Sequence, residues 1–192
     1  MQGRLENKIK REKVIENLLK DMPQYVTEYR VIHEENYGIP KLKVAHTYET
    51  SYDNRPSCEY LSYMLDEIYD LSYCNEEYMY VISMDTAFHI KGIYEAGHGD
   101  CGSVPVYSRE LFTFLLLSGA ERFVCVHNHP NGNLVASDGD KKWTQTMKLV
   151  ANILHIEFTD HIIVTEEGFI SIGDEDKALF SDINIDWDSI KI

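Results

Sequence analysis

A short segment of the chain restricts the local fold through the spacing of two histidines, a serine and an aspartate. His127 and His129 are two positions apart, seven residues separate His129 from Ser137, and Asp140 follows three residues later. On a strand, residues two positions apart point to the same face, so both imidazoles would lie on one side of the sheet. A helix that begins near Ser137 can return Asp140 to that face. The segment therefore predicts a strand, a loop and a helix that are packed closely together.

The same side chains predict a metal site of the catalytic kind. Imidazole and carboxylate groups are ordinary zinc ligands, and three protein ligands with an open fourth position for water are typical of catalytic zinc. We therefore predict that His127, His129 and Asp140 bind Zn²⁺. The alternative is that the histidines are core residues of a strand and that Asp140 interacts with a helix dipole. A same-face histidine pair followed by a suitably spaced acid favours the metal site.

Composition limits the class of protein. A chain of 192 residues, 44% of them hydrophobic, can form one domain with a core and an appendage. The net charge of −14 argues against a protein whose main role is to bind phosphate backbones. The apolar stretch around residues 115–117 is too short to cross a membrane, and the N-terminus lacks the apolar region of a secretory signal. Without a CxxC spacing, the cysteines are predicted to be reduced, mostly buried thiols of a cytoplasmic protein: Cys58, Cys74, Cys101 and Cys125.

Hydrophobic periodicity predicts a mixed α/β domain preceded by a helical arm. Residues 5–22 have the periodicity of a helix, and Pro23 is expected to end that helix. A boundary near Pro40 would separate an N-terminal helical arm (1–39) from the main domain (40–175), and an acidic tail (176–192) would be partly disordered. Short strands are predicted at 31–32 and 42–45. The remaining elements alternate between strand and helix, which favours a mixed sheet flanked by helices: helices at 57–72, 109–118 and 139–154, and strands at 78–84, 88–95, 122–127, 161–164 and 169–172.

The segment HNHPNGNLVASDGD resembles the JAMM metalloprotease motif, and a larger part of the chain resembles the RadC-like JAB domain. Further similar segments are YEAGHG at 94–99, SVPVYSREL at 103–111 and DHIIV at 160–164. The similarity extends over roughly residues 40–175. It implies a JAB/MPN-like fold with a cytidine-deaminase-like mixed sheet. It also implies a zinc-dependent hydrolase that cleaves a peptide or isopeptide amide with metal-activated water.

The resemblance also implies roles for individual residues. Asp140 rather than Asp138 fits the SxxD register of the third ligand. Glu95, at the end of a predicted strand, is expected to be the general base that takes a proton from water and passes it to the leaving amine. Ser137 is expected to help hold the tetrahedral oxyanion. A serine in this setting also commonly caps a helix, and both roles can hold together.

Two other functions are kept as alternatives. The first is a DNA-repair-associated RadC-like protein that acts with nucleic acid, which the acidic balance opposes. The second is a non-catalytic metal-binding interaction module, which the presence of all five motif residues argues against. A zinc nucleobase deaminase would need an HxE segment together with PCxxC, and this sequence lacks that combination. The expected partner is an unidentified protein or peptide substrate, and the sequence specifies neither the scissile bond nor the oligomeric state.

Overall fold

A seven-stranded mixed sheet forms the centre of the molecule in a computed structural model, which describes residues 23–34, 38–51 and 56–181. The strand order is β2-β1-β4-β3-β5-β6-β7. The pairs β1/β4 and β5/β6 are parallel, and the other neighbours are antiparallel. The strands are β1 (Pro23–His33), β2 (Pro40–Ser51), β3 (Tyr78–Met84), β4 (Ile90–His98), β5 (Arg122–Asn128), β6 (Glu157–Thr165) and β7 (Gly168–Ser171).

Helices cover both faces of this sheet. The helices are α1 (Cys58–Tyr69), α2 (Ser108–Leu117), α3 (Asp138–Ile153) and the short α4 (Ile172–Glu175), with 3₁₀ turns at Leu71–Tyr73 and Lys177–Phe180. Alternate side chains of β3 point to opposite faces. Tyr80 and Ile82 pack in the core under α1, whereas Met79 and Val81 pack in the core under α2 and α3. The predicted fold class, a mixed sheet flanked by helices, is confirmed.

The connection from β5 to β6 determines where the histidine segment lies. These two strands are parallel, and α3 forms the crossover between them. The amino end of α3 therefore begins close to the carboxyl end of β5. Phe123 and Cys125 of β5 are buried against α2 and α3, and alternation along the strand directs His127 to the same side.

The N-terminal part of the chain differs from the prediction. The helix predicted at 5–22 lies outside the described residues. Pro23–His33 is a strand that pairs with β2 and β4, so the helical arm predicted over 1–39 is wrong in this stretch. The boundary placed near Pro40 falls inside a β-hairpin. The short strands predicted at 31–32 and 42–45 are parts of strands of 11 and 12 residues.

A buried carboxylate interrupts the apolar pattern of β1. Glu28 is only 8% exposed, at a position where alternation would call for an apolar side chain. The hydroxyls of Tyr48 and Tyr69 donate to its Oε2 over 2.9 and 3.1 Å. These two hydrogen bonds allow the acid to be buried, because they replace part of its hydration.

At the other end of the chain, Leu179 of the predicted acidic tail is buried in a 3₁₀ turn, and residues 182–192 lie outside the described residues.

Asp160 on β6 joins three parts of the fold. Its buried carboxylate accepts hydrogen bonds from Cys58 Sγ, Ser171 Oγ and the backbone N–H groups of His161 and Gly173. We expect Asp160→Ala to lower the free energy of unfolding by about 2–4 kcal/mol, because buried donors lose their acceptor. Asp160→Asn, which keeps the volume and one oxygen, should lose less. Urea denaturation of the three proteins measures this, and equal stability of Asp160→Ala and the wild type would contradict it.

Candidate metal centre

Three of the predicted site residues meet at the carboxyl end of β5. His127 lies on the strand, His129 follows it directly, and Asp140 lies in the first turn of α3. The two Nε2 atoms are 3.0 Å apart. His127 Nε2 lies 3.4 Å from Asp140 Oδ1, and His129 Nε2 lies 3.5 Å from Asp140 Oδ2. The structure thus brings together the three residues that the sequence predicted as ligands.

The geometry of these three residues fits a small divalent cation. Zinc bonds of about 2.0–2.2 Å in a tetrahedron place neighbouring ligand atoms about 3.3–3.6 Å apart. The two separations between an imidazole nitrogen and Asp140 fall in that range, and the separation of 3.0 Å between the two imidazole nitrogens is slightly shorter. Across residues 23–34, 38–51 and 56–181, this is the one group of three His, Cys, Asp or Glu side chains that meets the spacing expected of metal ligands. His127, His129 and Asp140 could therefore hold a metal without rearrangement of the backbone.

The electrostatics of the site favour a positive charge. Burial alone would raise the pKa of Asp140, but its hydrogen bonds with His127 and His129 hold that pKa well below the usual range. Burial lowers the pKa of His127, whereas Asp140 raises the pKa of the less buried His129 despite burial. His129 Nδ1 lies 2.7 Å from the carbonyl oxygen of Asn133, to which it donates, so its Nε2 faces the site. An ionised carboxylate and two imidazole nitrogens thus converge where a proton or a metal cation would be stabilised.

Ser137 caps α3 and holds the Asp140 carboxylate. Its Oγ accepts from the Asp140 backbone N–H over 3.1 Å and donates to Asp140 Oδ2 over 2.6 Å. The Ser137 backbone N–H donates to the same carboxylate oxygen over 2.8 Å, which completes a capping box. The expected capping role is therefore confirmed. Ser137 also lines the cavity beside the three ligand residues.

A cavity of about 510 Å³ opens beside the three-residue cluster. One wall is formed by residues 102–106, and the other by residues 131–137. Val104, Val106 and Val135 make part of both walls apolar. His129, Asp140 and Glu77 are among the polar groups of the cavity. A cavity with apolar walls and a few converging polar groups is typical of a binding or catalytic site.

Glu77 is the acid that the structure adds to this cavity and that the sequence analysis missed. It precedes β3, whose antiparallel register with β5 places Met79 opposite His127. Extending that register by two residues places Glu77 opposite His129. Glu77 is 9% exposed, and burial raises its pKa, with a smaller opposing effect from His129. Glu77 immediately precedes a predicted strand, which made it a candidate for a residue at a sheet edge. The sequence did not reveal that this strand pairs with β5, which is what brings Glu77 to the cavity.

Glu95, which was predicted as the general base, lies on the other face of the sheet. It pairs with Tyr80, a residue of the core under α1, while its neighbours Tyr94 and Ala96 pack towards α2 and α3. It lines a separate cleft between β1 and β4 together with Glu28 and Arg30. The structure therefore does not bring Glu95 to His127, His129 and Asp140.

Glu77 is held in place from two sides. Its backbone N–H donates to the Asp100 carbonyl, and its own carbonyl accepts from the Gly99 N–H, both over 2.8 Å. On the side of β5, the Asn128 side chain accepts from the Tyr78 N–H and donates to the Glu76 carbonyl. Asn128 thus links β5 to the segment that carries Glu77, a role that the sequence analysis did not assign.

Three other polar or thiol side chains near the motif have structural contacts: His98, Asp100 and Cys125. The His98 ring stacks on Tyr78 and its Nε2 lies 2.6 Å from Glu76 Oε2, while Asp100 accepts from the N–H groups of Gly102 and Ser103. Cys125 is buried in the core under α2 and α3. All four cysteines are free thiols, but only Cys125 is buried, so the prediction that most of them are buried is wrong.

The loop that anchors Glu77 requires glycine at position 99. A Cβ on Gly99 would collide with the backbone of Ser103 and Val104, whereas a Cβ on Gly102 would meet only Asp100 Oδ1, at 3.9 Å. We expect Gly99→Ala to lower the free energy of unfolding by about 1–3 kcal/mol, because backbone must move to admit the methyl group. Gly102→Ala, in the same loop, should change it by less than about 0.5 kcal/mol. Urea denaturation of both variants tests this, and equal effects at the two positions would contradict it.

Comparison with known protein families agrees with the fold. The family model described as "RadC-like JAB domain" matches residues 56–178, well over half of the chain. The chain therefore belongs to the RadC-like JAB domain family. The match includes His127, His129, Ser137 and Asp140, and also Glu77.

Individual relatives are similar to about half of the chain. A "UPF0758 protein" of Finegoldia magna is 30% identical over 103 residues, which is 54% of this chain and 46% of the relative. Proteins of the same name from Bacillus licheniformis and Thermotoga maritima are 30% and 28% identical over 106 residues, 55% of this chain and 47% and 48% of theirs. The chain spans about half the length of these curated relatives. In the described ranges, none of the helices has the length and apolar character needed to span a bilayer.

Proposed function

We propose that this chain is a zinc-dependent hydrolase of the JAMM type that cleaves a peptide or isopeptide amide. The observation that carries the proposal is the convergence of His127, His129 and Asp140 at separations of 3.0–3.5 Å beside a cavity that also contains the buried Glu77. Two imidazoles and one carboxylate leave a coordination position for water or substrate, as catalytic zinc sites do. Membership of the RadC-like JAB domain family supports the same chemistry.

In the proposed mechanism, His127, His129 and Asp140 would hold the cation. When bound there, zinc polarises a carbonyl group and lowers the pKa of a water molecule. Glu77 takes the proton from water and passes it to the leaving amine. Burial raises the pKa of Glu77, which suits a carboxylate that must first accept a proton and then release it. Glu77 therefore replaces Glu95 as the proposed general base.

Ser137 has a proposed second role beside its capping role. Its hydroxyl is held by Asp140 Oδ2 at 2.6 Å. With a cation bound, Asp140 would share its carboxylate charge with that cation and would hold this hydroxyl less strongly. The hydroxyl can then donate to the oxyanion that develops on the substrate carbonyl.

The proposal is tested by hydrolysis that depends on zinc. The purified chain, loaded with one equivalent of zinc, is incubated with a linear peptide library and with isopeptide-linked lysine peptides, and the products are identified by mass spectrometry. We expect cleavage that a chelator abolishes and added zinc restores. Stoichiometric zinc binding without cleavage of any member would instead favour the non-catalytic metal-binding module.

We propose that the substrate is a protein or peptide rather than nucleic acid, and that the chain acts in the cytoplasm. The net charge of −14 opposes binding to phosphate backbones, and the apolar cavity walls suit a peptide. The four free thiols support a reducing compartment. Salt-dependent binding of duplex DNA in a gel-shift assay would argue for the DNA-repair-associated alternative.

A further inference from the structure

A chain of buried hydrogen bonds runs from α3 to the back of His127. Thr144 Oγ1 lies 2.7 Å from His161 Nδ1, and His161 Nε2 lies 2.8 Å from His127 Nδ1. All three side chains are at most 1% exposed. The far nitrogen of His127 is the Nε2 atom that faces His129 and Asp140. His161 thus contacts the predicted ligand His127 from the side away from the cation position, and Thr144 contacts His161.

The hydrogen bond that Thr144 donates determines which atom is the donor in each of the other hydrogen bonds of this series. The Thr144 hydroxyl donates its single hydrogen to the Asp140 carbonyl, one turn earlier in α3, over 2.7 Å. Its oxygen can therefore only accept from His161 Nδ1–H. A neutral imidazole carries one N–H and one lone pair, so His161, with its hydrogen on Nδ1, has its lone pair on Nε2. It follows that His161 Nε2 accepts from His127 Nδ1–H.

We propose that Thr144 and His161 are positioning residues that fix the tautomer of His127, so that its Nε2 presents a lone pair to the cation. The inference rests on the metal site of the proposed function. If these hydrogen bonds ran in the opposite direction, the hydrogen of His127 would lie on Nε2, which is 3.0 Å from His129 Nε2, and it would block ligation. Metal-binding histidines generally hold their tautomer through a hydrogen bond from the other ring nitrogen. Here that partner is a third imidazole, oriented by a helix hydroxyl.

Nuclear magnetic resonance tests the tautomers directly, without metal. In a long-range ¹⁵N–¹H correlation spectrum of chelator-treated protein, we expect His127 and His161 both to be the Nδ1–H tautomer, with assignment through His161→Gln. In Thr144→Val the acceptor for His161 Nδ1–H is lost, so the Nε2–H form should gain population. Thr144→Ser should keep the wild-type pattern. An Nε2–H tautomer at His127 in the wild type would overturn the proposal whatever the variants do.

Zinc affinity provides the second readout. Competition with a chromophoric chelator should show zinc binding about 10- to 100-fold weaker in Thr144→Val, the loss typical when a group behind a metal ligand is removed. Thr146→Val is the matched control. Thr146 lies on the exposed face of the same helix, and its hydroxyl likewise donates to the carbonyl four residues earlier. Its removal should leave the affinity unchanged, and circular dichroism confirms that each variant is folded.

The two readouts separate this inference from the proposed function. Unchanged tautomers and affinity in a folded Thr144→Val would overturn the positioning role while leaving the metal site intact. Wild-type protein with the expected tautomers but no zinc binding would overturn the proposed function and, with it, the role towards a cation. Weaker zinc binding with unchanged tautomers would reduce Thr144 to a packing residue and overturn the proposal.

Discussion

His129→Ala is expected to abolish zinc binding. Wild-type protein should carry about one zinc per chain after purification, and the variant should carry almost none, because removal of one of three protein ligands leaves too few bonds to hold the cation. The loss of affinity should exceed the roughly 100-fold expected for changes behind a ligand. Elemental analysis of the two proteins, prepared side by side, measures the difference.

A histidine elsewhere in the chain provides the control. His89 lies in the turn between β3 and β4, paired with Asp85, at the opposite end of β3 from the site. His89→Ala should retain the wild-type zinc content. Zinc-free wild-type protein with an intact fold would remove the basis for a metallohydrolase. Equal zinc in wild type and His129→Ala would place the metal elsewhere.

Glu77→Gln is expected to lower the rate of amide cleavage by about 10²- to 10⁴-fold, the usual contribution of a general acid–base group. The amide side chain has nearly the same shape as the acid but cannot accept the proton from water. Zinc content should stay at the wild-type level, because Glu77 is not one of the three clustered ligands. Cleavage of a peptide identified from the library, measured at saturating zinc, gives the rate.

Glu95→Gln is the matched comparison for this experiment, since it makes the same chemical change on the opposite face of the sheet. Its activity should remain within a few-fold of the wild type. The reverse result, an inactive Glu95→Gln with an active Glu77→Gln, would restore the prediction made from the sequence. Loss of zinc from Glu77→Gln would show that Glu77 is a ligand or a structural group.

The metal cluster could be predicted from the sequence because it is local. His127, His129, Ser137 and Asp140 lie within one strand, one loop and one helix start, so spacing alone predicts that they meet. The helix cap at Ser137 follows from the same local rules. The predicted fold class is also confirmed, because the hydrophobic residues along 57–172 recur with the distinct periods of strands and helices.

Most of the N-terminal strand β1 was missed, because one of its buried residues is charged. Glu28 is buried in β1 at a position that would normally be apolar, and two tyrosines that satisfy it come from β2 and α1. The hydrogen bonds that make this burial possible involve residues 20 and 41 positions away. Strand propensity and hydrophobic periodicity take account of the charge of Glu28, but they do not reveal the distant tyrosine hydroxyls that make its burial possible.

By itself, then, the sequence determined the three candidate ligands, the cap of α3 and the mixed α/β class, since these depend on neighbouring residues and on repeating patterns. The tertiary structure alone decided which acid joins the site and which groups lie behind it. Glu77 reaches the cavity through the register of β3 against β5, and His161 reaches His127 through the register of β6 against β5. Strand register is set by packing across the whole sheet, and a shift of one residue moves every side chain to the other face.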